Sequence, residues 1–147
     1  MTIALASDHG GLKLKNAIKA HLEEKGIAVL DEGTFDESSV DYPLFAKKAA
    51  EDVAQGKAEL GILTCTSGEG VAITANKVKG IRCGIGYSDN VSAKCREHNN
   101  CNMIAFGQAE METPDVLRRV DIFLNAKFEG GRHQRRVGEI NDIESNC

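Results

Sequence analysis

The sequence predicts an α/β fold, a three-layer Rossmann-like sandwich in which a five-stranded parallel sheet is covered by helices on both faces. Three observations carry that expectation. Five short apolar runs are each followed by a segment with apolar residues at helical spacing. The connections are short, so the strands run parallel and are joined by right-handed crossovers. Finally, 147 residues without a linker, repeat or low-complexity stretch fit a single domain over 1–147 with a core of its own.

Taken in order, Thr2 to Ser7 is an apolar strand ending in Asp8-His9-Gly10-Gly11. Leu14, Ala17, Ile18, His21 and Leu22 then mark a helix closed by Gly26. Ile27 to Leu30 gives a second strand, and Asp31 to Ser39 a polar loop. Pro43 belongs in the first turn of a second helix, whose stripe is Phe45, Ala46, Ala49, Ala50 and Val53 before Gly56. The third strand begins at Leu60 and delivers Cys65 into a turn of small residues that opens an alanine-rich helix reaching Asn76. Ile81 to Ile85 is the fourth strand, and Ser88 caps a helix to about Glu97. Asn102 to Phe106 is the fifth, followed by Thr113-Pro114 as cap and first turn of a helix carrying Val116, Leu117, Val120, Phe123 and Leu124. Gly130-Gly131 ends that unit. Residues 131–147 form an extension with a thin stripe of Val137, Ile140 and Ile143, narrow enough to suggest a helix packing on a partner subunit.

Composition excludes several classes of partner. The net charge is −4 and the only basic block is Arg132 to Arg136, so nucleic acid and membrane surfaces are not expected partners. Tryptophan is absent and aromatics are 5%, too few for a base-stacking platform. Met1 to Ser7 is too short and uncharged for a signal peptide, and no apolar run approaches a membrane span, so a cytoplasmic protein is expected. Cysteines 65, 83, 95, 101 and 147 are odd in number and contain no Cys-x-x-Cys pair, which argues against a disulfide framework and a thiolate metal site. Cys83, Cys95 and Cys101 read as small core fillers, and His21 as a structural histidine beside an apolar stripe.

The chemistry concentrates in Cys65-Thr66-Ser67-Gly68-Glu69-Gly70. Ligands of open parallel sheets bind beyond the strand carboxyl ends, where a helix N-terminus offers free N–H groups and a positive dipole end. An ordinary thiol has a pKa of about 8.5 and is more readily a thiolate in such a place, which makes Cys65 a candidate nucleophile or general base. Gly68 and Gly70 allow close backbone approach, and Ser67 adds a hydroxyl. Three further groups are expected to converge with Cys65 at the carboxyl edge: Asp8-His9, His98-Asn99, and Arg132 with Arg136. The His98 group lies on the other side of the sheet order, within reach of a neighbouring subunit. Each has a plainer reading: Asp8 as a helix cap, His98-Asn99 as a polar helix end, and the arginines, four apart on one helix face, as a solvated surface. A phosphate loop and a nucleophile elbow are absent, the dinucleotide fingerprint lacks its third glycine, and Val71 stands where a cysteine phosphatase needs arginine.

Asp8-His9-Gly10-Gly11, Asp41-Tyr42-Pro43, Gly61-Ile62-Leu63 through Cys65 and Gly68-x-Gly70, Ala75-Asn76-Lys77, Gly80-Ile81-Arg82, Arg96-Glu97-His98-Asn99 and Glu129-Gly130-Gly131-Arg132-His133 occur in that order. Together they resemble the type B ribose-5-phosphate isomerases and the wider group that includes galactose-6-phosphate isomerase subunits. The resemblance runs the whole length. It implies an aldose–ketose isomerase without metal or other cofactor, acting on a sugar phosphate as a homodimer or tetramer with shared active sites. Asp8 and His98 would then assist ring opening, and Cys65 would move a proton between C1 and C2. Ser67 with the Gly68 and Gly70 amides would hold the oxyanion, Asn99 would orient a sugar oxygen, and His9, Arg132 and Arg136 would bind phosphate. The sequence departs from the family pattern in two places. Thr66-Ser67 replaces Gly-Thr after the cysteine, and Ala109 stands where an arginine often follows the fifth strand. Ribose 5-phosphate is the first expectation, with a hexose 6-phosphate (allose or galactose) or a tetrose phosphate as alternatives. A non-catalytic sugar-phosphate binder and a thiol redox or phosphatase protein are the readings from other classes.

Overall fold

The computed structural model describes residues 1–147. Its strands are β1 (Thr2–Ser7), β2 (Ala28–Asp31), β3 (Leu60–Cys65), β4 (Cys83–Ile85) and β5 (Met103–Gly107), all parallel in the order β2-β1-β3-β5-β4. The helices are α1 (Leu12–Glu24), α2 (Tyr42–Ala54), α3 (Glu69–Asn76), α4 (Asp89–Glu97), α5 (Thr113–Asn125) and α6 (Arg132–Ser145). The predicted three-layer sandwich is present.

Alternation along the strands decides what each face carries. Ile3 and Leu5 of β1, Ile62 of β3, and Ile104 and Phe106 of β5 point to one side, where they meet Leu14, Ile18 and Leu22 of α1 and Val116, Val120 and Phe123 of α5. Ala4, Ala6, Leu63 and Ala105 point to the other, against Ala46, Ala49, Ala50 and Val53 of α2 and Val71, Ala72 and Ala75 of α3. One layer is built of bulky aliphatics, the other mainly of methyl groups that let α2 and α3 approach closely. Connections that step one way across the sheet use α1 and α4, and those that step the other way use α2 and α3, as right-handed crossovers require. The chain leaves β1 in one direction and β3 in the other, so their carboxyl ends flank a switch point, where α/β sheets open a crevice.

Several boundaries differ from the sequence expectation. Strand β4 begins at Cys83 rather than Ile81, because the Asn102 side chain takes over the backbone before it: its Oδ1 accepts from the Arg82 N–H at 2.9 Å and its Nδ2 donates to the Gly80 carbonyl at 2.9 Å. For the same reason β5 begins after Asn102. Strand β2 is shifted by one residue, and Thr113 is the first helical residue of α5 rather than its cap. Ser88 caps as expected, its Oγ accepting from the Val91 N–H at 3.1 Å. The 131–147 extension is helical and docks on its own chain: Glu144 accepts from the Gly80 N–H at 2.9 Å, and Asn141 accepts from Arg82 at 3.2 Å. No helix is long and apolar enough to cross a membrane.

Candidate active site

Asp8 directly follows β1 and Cys65 ends β3, side by side in the crevice. Asp8 Oδ1 accepts from the Gly11 N–H at 3.1 Å, so the carboxylate caps the short 3-10 turn His9–Gly11, yet it also lines the cavity. The capping and functional readings are thus compatible. Cys65 is buried, and its Sγ accepts from the Gly68 N–H at 3.1 Å. The sulfur is thereby met by a backbone donor at the head of α3. Asp8, Cys65, Thr66, Ser67 and Gly70 surround a cavity of about 390 Å³, closed on one side by Tyr42 and Ile73.

The loop holds its shape by close packing against its neighbours. Gly68 adopts φ +86°, and a Cβ there would lie 2.9 Å from the Phe106 carbonyl carbon. The Gly11 carbonyl accepts from Thr64 Oγ1 at 2.7 Å, and a Cβ on Gly11 would meet the Thr64–Cys65 backbone at 2.5–2.6 Å. Thr66, where the family pattern has glycine, is accommodated because its hydroxyl occupies the space a Cβ on Gly10 would need. Donors are not distributed as the motif alone suggests. The Gly68 N–H is engaged by sulfur and the Glu69 N–H by Ser67 Oγ at 3.2 Å, which leaves the Gly70 amide without an intramolecular acceptor, available to a substrate oxygen. His9 is exposed beside the crevice, its Nδ1 accepting from the Val40 N–H at 3.2 Å.

The expected convergence of all four polar groups within one chain does not occur. Helix α4 starts at the carboxyl edge and returns, so His98 and Asn99 precede β5 at the amino edge of the sheet. Arg132 and Arg136 lie there too, exposed on the first turns of α6. The His133 ring stacks on His98 with centroids 4.1 Å apart and planes 10° from parallel. Glu129 Oε1 lies 3.6 Å from His98 Nε2 and 3.7 Å from His133 Nε2. Those three residues form the one compact histidine–carboxylate cluster, but parallel rings keep a single ion out of both imidazole planes, so the cluster does not suit a metal. Burial, helped by the charges of His98 and Arg132, holds the pKa of His133 below the ordinary histidine value. Arg82 clamps this edge, donating to the carbonyls of Asn99 and Asn100 at 2.9 Å each.

Sequence reasoning missed Tyr42, Glu129, His133 and Arg82 as parts of these two edges. Each stood inside a quoted motif, and Tyr42 beside Pro43 was the available signal for the cavity wall. His21 is structural as expected, 2.9 Å from Asp121. Cys95 and Cys101 are buried, whereas Cys83 is only half-buried on an edge strand.

Comparison with known proteins gives one answer throughout. The family model for ribose/galactose isomerases matches residues 3–140. The chain is 44% identical over 145 residues to ribose-5-phosphate isomerase B of Escherichia coli (strain K12), a match spanning 97% of this chain and 95% of that one. Its fold superposes on ribose-5-phosphate isomerase B of Clostridium thermocellum with a TM-score of 0.98 at 43% identity, covering 99% of both chains. The Mycoplasma genitalium ribose-5-phosphate isomerase B, solved with bound ribulose-5-phosphate, gives a TM-score of 0.95 at 40% identity over 99% of this chain and 97% of that one. With sequence, fold and crevice in agreement over nearly every residue, the chain belongs to the ribose/galactose isomerase family of aldose–ketose isomerases.

Proposed function

We propose that the protein interconverts ribose 5-phosphate and ribulose 5-phosphate with Cys65 as base, and that two copies assemble to complete each site. The observation that carries this reading is the division of polar groups between opposite sheet edges. Asp8, His9 and Cys65 stand at the carboxyl edge, and His98, Asn99, Arg132 and Arg136 at the amino edge. A two-fold assembly sets one edge of each chain against the other edge of its partner and makes two equal sites. Exposed apolar side chains favour it: Leu44 and Ile73 near the crevice are 61% and 62% exposed, and Ile143 on α6 is 68% exposed. In this reading 1–147 is one domain whose extension, 131–147, makes the contact between copies.

In the assembled site, Asp8 takes the proton of the anomeric hydroxyl while His98 of the second copy protonates the ring oxygen, freeing the C1 aldehyde. The Cys65 thiolate then removes the C2 proton, and the electron pair moves through C1 to O1. The Gly70 amide and the Ser67 hydroxyl meet the resulting oxyanion; one such donor is worth roughly 3 kcal/mol in comparable sites. Returning the proton to C1, with transfer of the O2 proton to O1, gives the ketose. Asn99 orients a hydroxyl, Thr66 and Gly68 shape the floor, and His9, Arg132 and Arg136 hold the phosphate, which positions the sugar rather than reacting. Five free thiols fit a cytoplasmic setting.

The test is a panel of four- to six-carbon sugar phosphates in heavy water, read as deuterium entering C2. Ribose 5-phosphate is expected to exchange fastest, and Cys65→Ala to abolish exchange while still binding the sugar. Full activity in that variant removes Cys65 from the mechanism. Faster turnover of allose or galactose 6-phosphate, or of a tetrose phosphate, reassigns the substrate, and binding without exchange makes the protein a sugar-phosphate binder.

A further inference from the structure

Three of the five cysteines gather away from Cys65. Cys83 opens β4, Cys95 lies near the end of α4, and Cys101 sits in the turn before β5. A Cβ built on Gly84 would lie 3.7 Å from the Cys101 sulfur and 3.8 Å from the Cys95 sulfur. The Cys95 thiol donates to the Ser92 carbonyl at 3.3 Å, and the Cys101 N–H donates to the Cys95 carbonyl at 2.8 Å, which holds the two residues side by side. Disulfides need Cα atoms about 4.4–6.8 Å apart, a separation that a direct backbone hydrogen bond between the two residues provides. Both residues line a cavity of about 490 Å³ that opens to the surface, walled also by Arg82, Lys94 and Asn99.

The two thiols are chemically unequal. Interaction with the neighbouring Cys95 thiol and the nearby Arg82 and Arg96 guanidiniums hold the pKa of Cys101 below the ordinary thiol value, whereas the same interaction and burial raise that of Cys95. Arg96 donates to the Cys101 carbonyl at 2.7 Å, and its Nε is buried without a partner. A more readily ionised thiol beside a less acidic one in a positive setting suits one sulfur to attack an oxidant and the other to resolve the product.

We propose that Cys95 and Cys101 form a peroxide-sensitive pair whose disulfide closes the loop carrying His98 and Asn99. Cys101 sulfur attacks one peroxide oxygen, the O–O bond breaks, and the departing oxygen leaves as water, giving a sulfenic acid. Cys95 sulfur then attacks Cys101 sulfur, the S–O bond breaks, and a second water leaves. The two thiols lose two electrons and two protons in total, and one peroxide becomes two waters. An S–S bond of about 2.05 Å draws the sulfurs together by about 1.5 Å or more from non-bonded contact. The end of α4 must follow, taking His98 with it. The effect on turnover rests on the proposed role of His98; the crosslink itself does not.

Reduced protein is treated with hydrogen peroxide, remaining thiols are alkylated, and the unreduced tryptic digest is read by mass spectrometry. Cleavage after Lys94, Arg96 and Arg118 should give Cys95–Arg96 joined to Glu97–Arg118, lighter than the two peptides by two hydrogen atoms. Recovery of both cysteines alkylated, or of Cys101 joined to Cys83, overturns the proposal. Because Cys65 is itself oxidisable, activity is compared with the Cys95→Ala/Cys101→Ala double variant. Peroxide is expected to lower wild-type turnover roughly tenfold further than that of the variant, reversibly with dithiothreitol. Equal loss in both overturns the link to His98 even where the crosslink forms. Reduced protein without isomerase activity counts against the functional reading alone, since the crosslink map is independent of it.

Discussion

Replacing Gly68 with alanine perturbs the Cys65 loop through backbone strain and steric overlap together. Gly68 sits at φ +86° and ψ −13°, where a side chain costs about 1–2 kcal/mol. The new Cβ would also lie 2.9 Å from the Phe106 carbonyl carbon and 3.1 Å from the Gly107 nitrogen. Both are backbone atoms of β5, a central strand, so the loop must yield rather than the sheet; overpacking of that kind costs about 1–3 kcal/mol. The expected destabilisation is therefore about 2–5 kcal/mol, read from the urea midpoint at unchanged slope. Displacement also moves the Gly68 N–H off the Cys65 sulfur, 3.1 Å away in the native loop. Loss of one directed donor lowers turnover by about 100-fold, measured as deuterium entry at C2. Gly68→Asn separates the two costs, because asparagine tolerates left-handed backbone but keeps the Cβ, and it should recover only about 1 kcal/mol. A Gly68→Ala protein within about 0.5 kcal/mol of wild type and undiminished in turnover refutes the reasoning, since ordinary surface changes fall in that range.

Three further outcomes are expected. Asp31→Ala strands the Lys15 ammonium, 1% exposed and 2.6 Å from Asp31, and should cost about 3–5 kcal/mol in urea unfolding, with Asp31→Ala/Lys15→Met recovering most of it. His133 has a folded pKa below its ordinary 6.5, so the unfolded chain binds the extra proton first. Stability should hold above about pH 6.5, fall as pH drops through that value towards the folded pKa, and lose this slope in His133→Phe. Ile143→Asp should convert the assembly to monomers by light scattering and remove isomerase activity together with it; an active monomer would dissociate the site from the second copy.

Much of the architecture was legible because helical spacing, Gly26, Pro43 and Ser88 each have a local physical cause that the rest of the fold does not overrule. The Asp8–Cys65 crevice follows for the same reason: one residue follows a strand end and the other is a strand end, and strand ends at a switch point define it. The misplaced group was His98-Asn99 with Arg132 and Arg136. A residue immediately before a parallel strand belongs to the amino edge, and that geometric signal was present in the sequence. Asn102 was less accessible, since its capture of the Gly80–Arg82 backbone depends on side-chain bonds between distant segments that no periodicity encodes. His133 on His98 is equally non-local, joining helix ends brought together only when α5 and α6 are in place.

The fit between Thr66 and Gly10 restricts the order in which substitutions can accumulate. The Thr66 hydroxyl fills the volume that any larger residue at position 10 would require, so the two sites cannot drift independently. A lineage enlarging position 10 must first turn or shrink residue 66, and one that keeps the Thr66 hydroxyl where it stands keeps glycine at position 10. Mutational tolerance at position 10 measured in a relative with a smaller partner would therefore overstate what this chain can accept.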